Sequence, residues 1–115
     1  MEEKNNIVNL HERLIQKFIE KRRPSPEIRD ELDLPYTFEN DILEIFQIRS
    51  LWNDSSKKIT IPVAKSKYIK SRKIWKIFWQ RANGKWKAYK PNEEVKDITE
   101  FFKILEEDEL GCFWG

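Results

Sequence analysis

Along "IWKIFWQRANGKWKAYK", residues 74–90, aromatic rings are interleaved with amines. Phe78 and Tyr89, flanked by Lys76 and Lys87, have the make-up of a single-stranded nucleic-acid platform, in which rings stack on bases and amines meet phosphates. On such a surface each stacked base contributes ~1–3 kcal/mol. The same lysines would also suit a solvated sheet face, whose apolar ground their stems cover. No glycine-aromatic signature of an RNA-recognition strand accompanies them. Charge distribution extends the pattern. Between residues 55 and 92 there is no Asp or Glu, while twelve Lys or Arg occur there; the remainder holds ten basic residues and all twenty acids. The middle is therefore +12 against −10 in the flanks, within a net charge of +2. Segregation of this size points either to an anionic partner or to neutralisation between parts of one fold. The candidate contact residues are Lys65, Lys67, Lys70, Arg72, Lys76, Phe78, Lys85, Lys87 and Tyr89.

Other chemistries have less to work with. His11 is the only histidine and borders an apolar helical stripe, where packing is the simpler role. No His/Cys cluster has metal-site spacing, and three glycines, at 84, 111 and 115, cannot make a phosphate-binding loop. Asp33, Glu39, Asp41 and Glu44 gather around one expected hairpin and could serve a carboxylate-metal nuclease. Yet the Glu94-Val95-Lys96 triplet is expected in the loop before the last helix and not on a strand, so an acidic hairpin rim is the simpler expectation. No catalytic residue, metal or cofactor is expected. Cys112, the single cysteine, excludes an internal disulfide and reads as a small buried hydrophobe rather than a reactive thiol.

The elements that must position these residues follow from periodicity. Ile7, Leu10, His11, Leu14, Ile15 and Phe18 recur at three and four, predicting a helix over 7–22 that Pro24 and Pro26 stop. Ser25-Pro26 could cap one further turn through Asp30. Leu32, Leu34, Tyr36 and Phe38 alternate with polar residues as an edge strand would, Pro35 being tolerated there. Asn40-Asp41 is a two-residue turn, and residues 42–52 are apolar at both parities, as in a central strand. "NDSSKK" reads as a polar loop. Residues 59–70 fit strand or helical turn; we favour a strand over about 64–70, beyond Pro62. Asn83-Gly84 closes the next hairpin. Asp97 with Glu100 forms a capping box for a last helix over 98–107, with Ile98, Phe101, Phe102 and Leu105 as its stripe.

Helix, run of strands, helix is an α+β order: an antiparallel sheet of four to five strands flanked by N- and C-terminal amphipathic helices. A two-residue turn at Asn83-Gly84 would put Trp75, Ile77, Trp79, Arg81, Trp86 and Ala88 on one face. Ile74, Lys76, Phe78, Gln80, Lys87 and Tyr89 would take the other; a slip of one residue would move Trp86 across. Burying one tryptophan is worth roughly 4–6 kcal/mol, from ~150–250 Å² at ~25 cal/mol per Å². That face is therefore expected under both helices. Phe113 and Trp114 of the closing "GCFWG" are expected to fold back onto the core. The preceding acids, 106–109, oppose the helix dipole and need a positive neighbour, for which the sheet lysines are candidates.

The 115 residues suit a single domain, 1–115, with the first six at a fraying end. No apolar run nears the ~18 residues of a membrane span, and the acidic start "MEEKNN" has no signal character, so a cytoplasmic protein without a membrane partner is expected. "RRPSPEIRDELDL", "EIFQIRSLW", "PVAKSKYIKSRKIWKIFWQRANGKWKAY" and "EDELGCFWG" occur in the order found in a family of small bacterial proteins. From about Leu10 to Gly115 the chain resembles this family, classed as domain of unknown function DUF3024. Gln47 stands where relatives usually carry an acid, which weakens any catalytic role there. The resemblance implies a bacterial stand-alone domain and no activity. Three functions are carried forward: an interaction module that binds nucleic acid through a basic, aromatic sheet face, a protein–protein adaptor or homodimer, and a carboxylate-metal enzyme.

Overall fold

The computed structural model describes residues 2–51 and 53–114, with side chains from Leu10 onward except that of Ser55. Helix α1 spans Glu2–Arg22. It buries Ile15, Phe18 and Ile19, with His11 and Leu14 half-buried beside them. Leu10, expected on the same stripe, is instead 54% exposed. At 3.6 residues per turn it lies ~140° around the helix from Ile15, outside the buried arc. Ile7 falls outside the described side chains.

Seven strands follow, β1 (Leu32–Asp33), β2 (Tyr36–Glu39), β3 (Ile42–Leu51), β4 (Asp54–Ile69), β5 (Ile74–Gln80), β6 (Trp86–Ala88) and β7 (Glu94–Val95), then helix α2 (Ile98–Glu107). All pairings are antiparallel, in the order β1-β3-β4-β5-β6, with β2 also on β3 and β7 also on β5. Seven exceeds the expected four to five because both outer columns are split. Pro35 separates β1 from β2, and a 3₁₀ turn at Lys90–Asn92 separates β6 from β7. In space the sheet is a five-column meander.

Strand β4 corrects the reading of the middle of the chain. It runs for 16 residues, through the expected polar loop and through Pro62. A bulge makes this possible: Ile45 pairs with Ala64 and Phe46 with Pro62, leaving Val63 unpaired. Proline lacks an N–H, and a bulge is where a sheet tolerates that loss. Trp52, the expected end of the preceding strand, lies outside the described residues.

The turns divide between expectation and correction. Asn40 and Asp41 have φ of 52° and 65°, as a two-residue type I′ turn requires. The β5–β6 hairpin is different. The Arg81 amide donates to Lys85 O at 2.9 Å and the Gly84 amide to Arg81 O at 2.8 Å, giving a three-residue loop, Ala82-Asn83-Gly84. Gly84 alone takes positive φ, at 84°, while the Asn83 side chain accepts the Lys85 amide at 3.0 Å. This is the type I turn with a glycine bulge, and it shifts the register by one. Trp79 pairs with Lys87 and Gln80 with Trp86.

Both helices lie on the face that carries Leu43, Ile45, Ala64, Ser66, Trp75 and Ile77. Trp75 is 1% exposed, and Trp79 packs partly buried beside it. Ser66, the buried polar side chain of this face, donates to Lys76 O at 2.9 Å. Phe18 and Phe102 stack at 4.3 Å with 4° between planes, joining α1 to α2. Asp97 and Glu100 close the expected capping box, and the four stripe residues of α2 are buried. Asp108, in the left-handed region with φ 39°, ends α2. Its carboxylate then accepts from the amides of Phe113 at 3.2 Å and Trp114 at 3.1 Å. Phe113 is buried, so the tail folds back as its composition predicts.

Candidate nucleic-acid interface

The face of the sheet opposite the helices is built from alternate residues. Register places Phe46 beside Pro62, Glu44 beside Lys65, Lys65 beside Phe78, Lys67 beside Lys76, Phe78 beside Ala88, and Gln80 beside Trp86. Because the hairpin has three loop residues, Trp86 comes to this face and Tyr89 leaves it. Tyr89 is 3% exposed, packs 5.0 Å from Phe113, and its hydroxyl is held protonated above the usual range, chiefly by burial. The expected pair of rings, Phe78 with Tyr89, is replaced by Phe78 with Trp86.

Lys65 occupies the centre. Its ammonium lies 5.1 Å from the centroid of Phe78 and 5.1 Å from that of Trp86. Both distances are within cation–π range, worth ~0.5–1 kcal/mol each at exposed sites. Phe46, Phe78, Gln80 and Trp86 are half-buried, leaving ring surface open to solvent. Lys67 is exposed and Lys76 half-buried in the next cross-strand row. Among the described residues, Lys65, Lys67 and Lys76 form no ion pair within 4 Å. Two acids flank the lysines of this face: Glu44 across from Lys65 on the β3 side, and Glu94 across from Lys76 on the β7 side.

The remaining candidates are dispersed. Lys70 meets Asp41 at 3.4 Å, and Arg72 clamps Glu94 with two hydrogen bonds of 2.9 and 3.0 Å. That clamp holds the Glu94 carboxyl below its ordinary range. Lys85 is exposed in the hairpin loop. Lys87, paired with Trp79, projects to the helix side of the edge strand. Of nine sequence candidates, Lys65, Lys67, Lys76 and Phe78 share the open face at its centre. Sequence reasoning missed Trp86, and the signal was present: "ANG" supports a three-residue loop as well as a two-residue one.

The acidic cluster does not reach this face. Glu106 adjoins Phe18, Lys21 and Arg22 on the helix side, and Asp108 is occupied by tail amides. The hairpin carboxylates are spread out: Asp33 is held by Arg23 at 2.7 Å and Asp41 faces Lys70. Among the described residues no three His, Cys, Asp or Glu side chains gather as metal ligands would. No described helix is long and apolar enough to cross a membrane.

Comparison with known proteins gives two findings. The family described as a domain of unknown function, DUF3024, matches residues 3–115. Chaperone protein HtpG of Buchnera aphidicola subsp. Schizaphis graminum (strain Sg) is 32% identical over 81 residues, covering 67% of this chain and 13% of that protein. The chain thus spans only a small part of that relative's length. No solved structure matches.

Proposed function

Since this chain belongs to the DUF3024 family, a domain of unknown function, we propose from its own residues that the open sheet face binds single-stranded nucleic acid. The observation that carries the reading is Lys65 between Phe78 and Trp86, on the face that neither helix covers. Two rings offer stacking surfaces for two bases, and Lys65, Lys67 and, directly across from Lys67, Lys76 supply positive charge. On binding, a base takes the ring face and the Lys65 amine moves to the neighbouring phosphate. The lost cation–π contact, ~0.5–1 kcal/mol, is offset by ~1–3 kcal/mol of stacking per base. Glu44 on one side and Glu94 on the other repel phosphate, which confines the strand to the β4–β5 rows between them.

Titration of a labelled single-stranded oligonucleotide across salt concentrations tests this. Three neutralised phosphates give a slope of about −2 in log K against log salt. Lack of binding at about 50 mM salt defeats the reading. If binding is lacking and sedimentation shows a concentration-dependent dimer, a self-association surface takes its place.

A further inference from the structure

On the helix side of the sheet, where β3 extends past the end of α1, a cleft of about 350 Å³ is lined by Arg22, Leu32, Asp33, Gln47, Arg49 and Trp114, among others. It is assembled from three distant parts of the chain. Arg22 ends α1, Gln47 and Arg49 are same-face neighbours on β3, and Trp114 belongs to the folded-back tail. The indole is fixed by its Nε1–H donating to Leu105 O at 2.7 Å and its amide donating to Asp108 at 3.1 Å.

The charges in this cleft are unbalanced. Arg22 stacks its guanidinium on the Trp114 ring, 4.0 Å from the centroid. A stacked guanidinium keeps its N–H donors in plane, at the ring edge, free for an oxyanion. Arg49 spends Nε on Gln47 Oε1 at 2.7 Å, a neutral acceptor that fixes the side chain without compensating it. Among the described residues its two terminal nitrogens make no side-chain hydrogen bond or ion pair. Asp33, the acid of the cleft, is satisfied by Arg23 through hydrogen bonds of 2.7 and 3.0 Å. Glu106 shares the adjoining depression with Lys21 and Arg22, and among the described residues it makes no ion pair within 4 Å. Among the described residues, then, two guanidinium groups without an ion-pair partner border a recess with an aromatic wall and an aliphatic floor.

We propose that this cleft binds a small oxyanion-bearing ligand, a phosphate monoester or carboxylate held between Arg22 and Arg49, with its apolar part against Leu32 and Trp114. Arginine suits either anion because its forked donors meet two oxygens at once. The site lies on the face opposite the lysine–aromatic surface and does not depend on it.

The test is an NMR titration of the full chain, following the Trp114 indole N–H, with phenyl phosphate, benzoate, inorganic phosphate and benzyl alcohol as probes. The indole resonance should shift saturably with phenyl phosphate or benzoate, and the tighter of the two identifies the anion. Benzyl alcohol should leave it unmoved. Gln47→Glu keeps an acceptor for Arg49 Nε but supplies the missing countercharge, so it should weaken the better probe by about tenfold or more. Arg49→Ala should do the same. Three results overturn the proposal: no indole shift up to about 10 mM probe, unchanged affinity in Gln47→Glu, or inorganic phosphate binding as tightly as phenyl phosphate.

Discussion

Trp86 pairs with Gln80 across the β5–β6 hairpin, and that pairing puts an indole on the open face of the sheet. Phe78 stands on the same face two residues before Gln80, so the two rings flank one lysine, Lys65, from the neighbouring strand. A ring–amine–ring arrangement is thus set by the length of the loop that precedes Trp86.

Removing either ring is expected to weaken single-strand binding with little change in its salt dependence. Phe78→Ala and Trp86→Ala should each cost ~1–3 kcal/mol of affinity. Lys67→Glu with Lys76→Glu should instead flatten the salt slope, since each lost phosphate contact removes about 0.7 from it. Fluorescence anisotropy at three salt concentrations separates the two effects, and ring variants that bind like wild type would refute the stacking role.

The hairpin loop gives a stability prediction. Gly84 has φ 84°, and a Cβ there meets nothing within 4 Å. Gly84→Ala should therefore lose only the backbone term, ~1–2 kcal/mol, read by urea unfolding. A larger loss would mean that the loop packs against something.

Asp108→Ala removes both acceptors that hold the tail, for the amides of Phe113 and Trp114. The expected destabilisation is ~1–3 kcal/mol. It should be accompanied by loss of the Arg22–Trp114 stack, visible as a change in the Trp114 indole resonance. Full stability in this variant would show that Phe113 burial and the Trp114 indole bond to Leu105 O hold the tail without Asp108.

His11 makes edge contacts with Tyr68 at 4.8 Å and Trp75 at 5.0 Å. Its pKa is lowered, first by burial, with Asp41 and Asp97 opposing. The unfolded chain therefore takes up the proton at a higher pH than the folded one. The stability linked to His11 is complete above the unfolded value, about 6.5, and declines as pH falls below it toward the lower folded value. Melting temperatures between pH 8 and 5 should fall on acidification, and His11→Phe should flatten the His11 part of that fall. An unchanged profile in the variant would disprove the assignment.

Both helices, the capping box, the Asn40-Asp41 turn and the returning tail were legible because each depends on residues close in sequence. Pro62 misled because a bulge is created by pairing with β3, and nothing local announces which residue a partner strand will skip. The Asn83-Gly84 register failed for a related reason. Glycine satisfies both loop lengths, and the choice is made by where the flanking residues must go: Tyr89 toward Phe113, Trp86 outward. The Arg22–Arg49–Trp114 cleft had no sequence signature at all, because its members lie 27 and 65 residues apart and meet only when the tail folds back.

The stacked pair Phe18–Phe102 has a consequence for how the chain folds. Successive columns of the meander are neighbours in sequence, so they can zip together with little loop-closure entropy. Bringing α1 to α2 is the long-range step, and it closes a loop that contains the whole sheet. On these grounds the hairpins should form early, with the Trp75 face still wet, and docking of the helix pair should come late. Folding rate should be insensitive to this aromatic stack and unfolding rate sensitive to it, making the pair a determinant of the protein's kinetic lifetime.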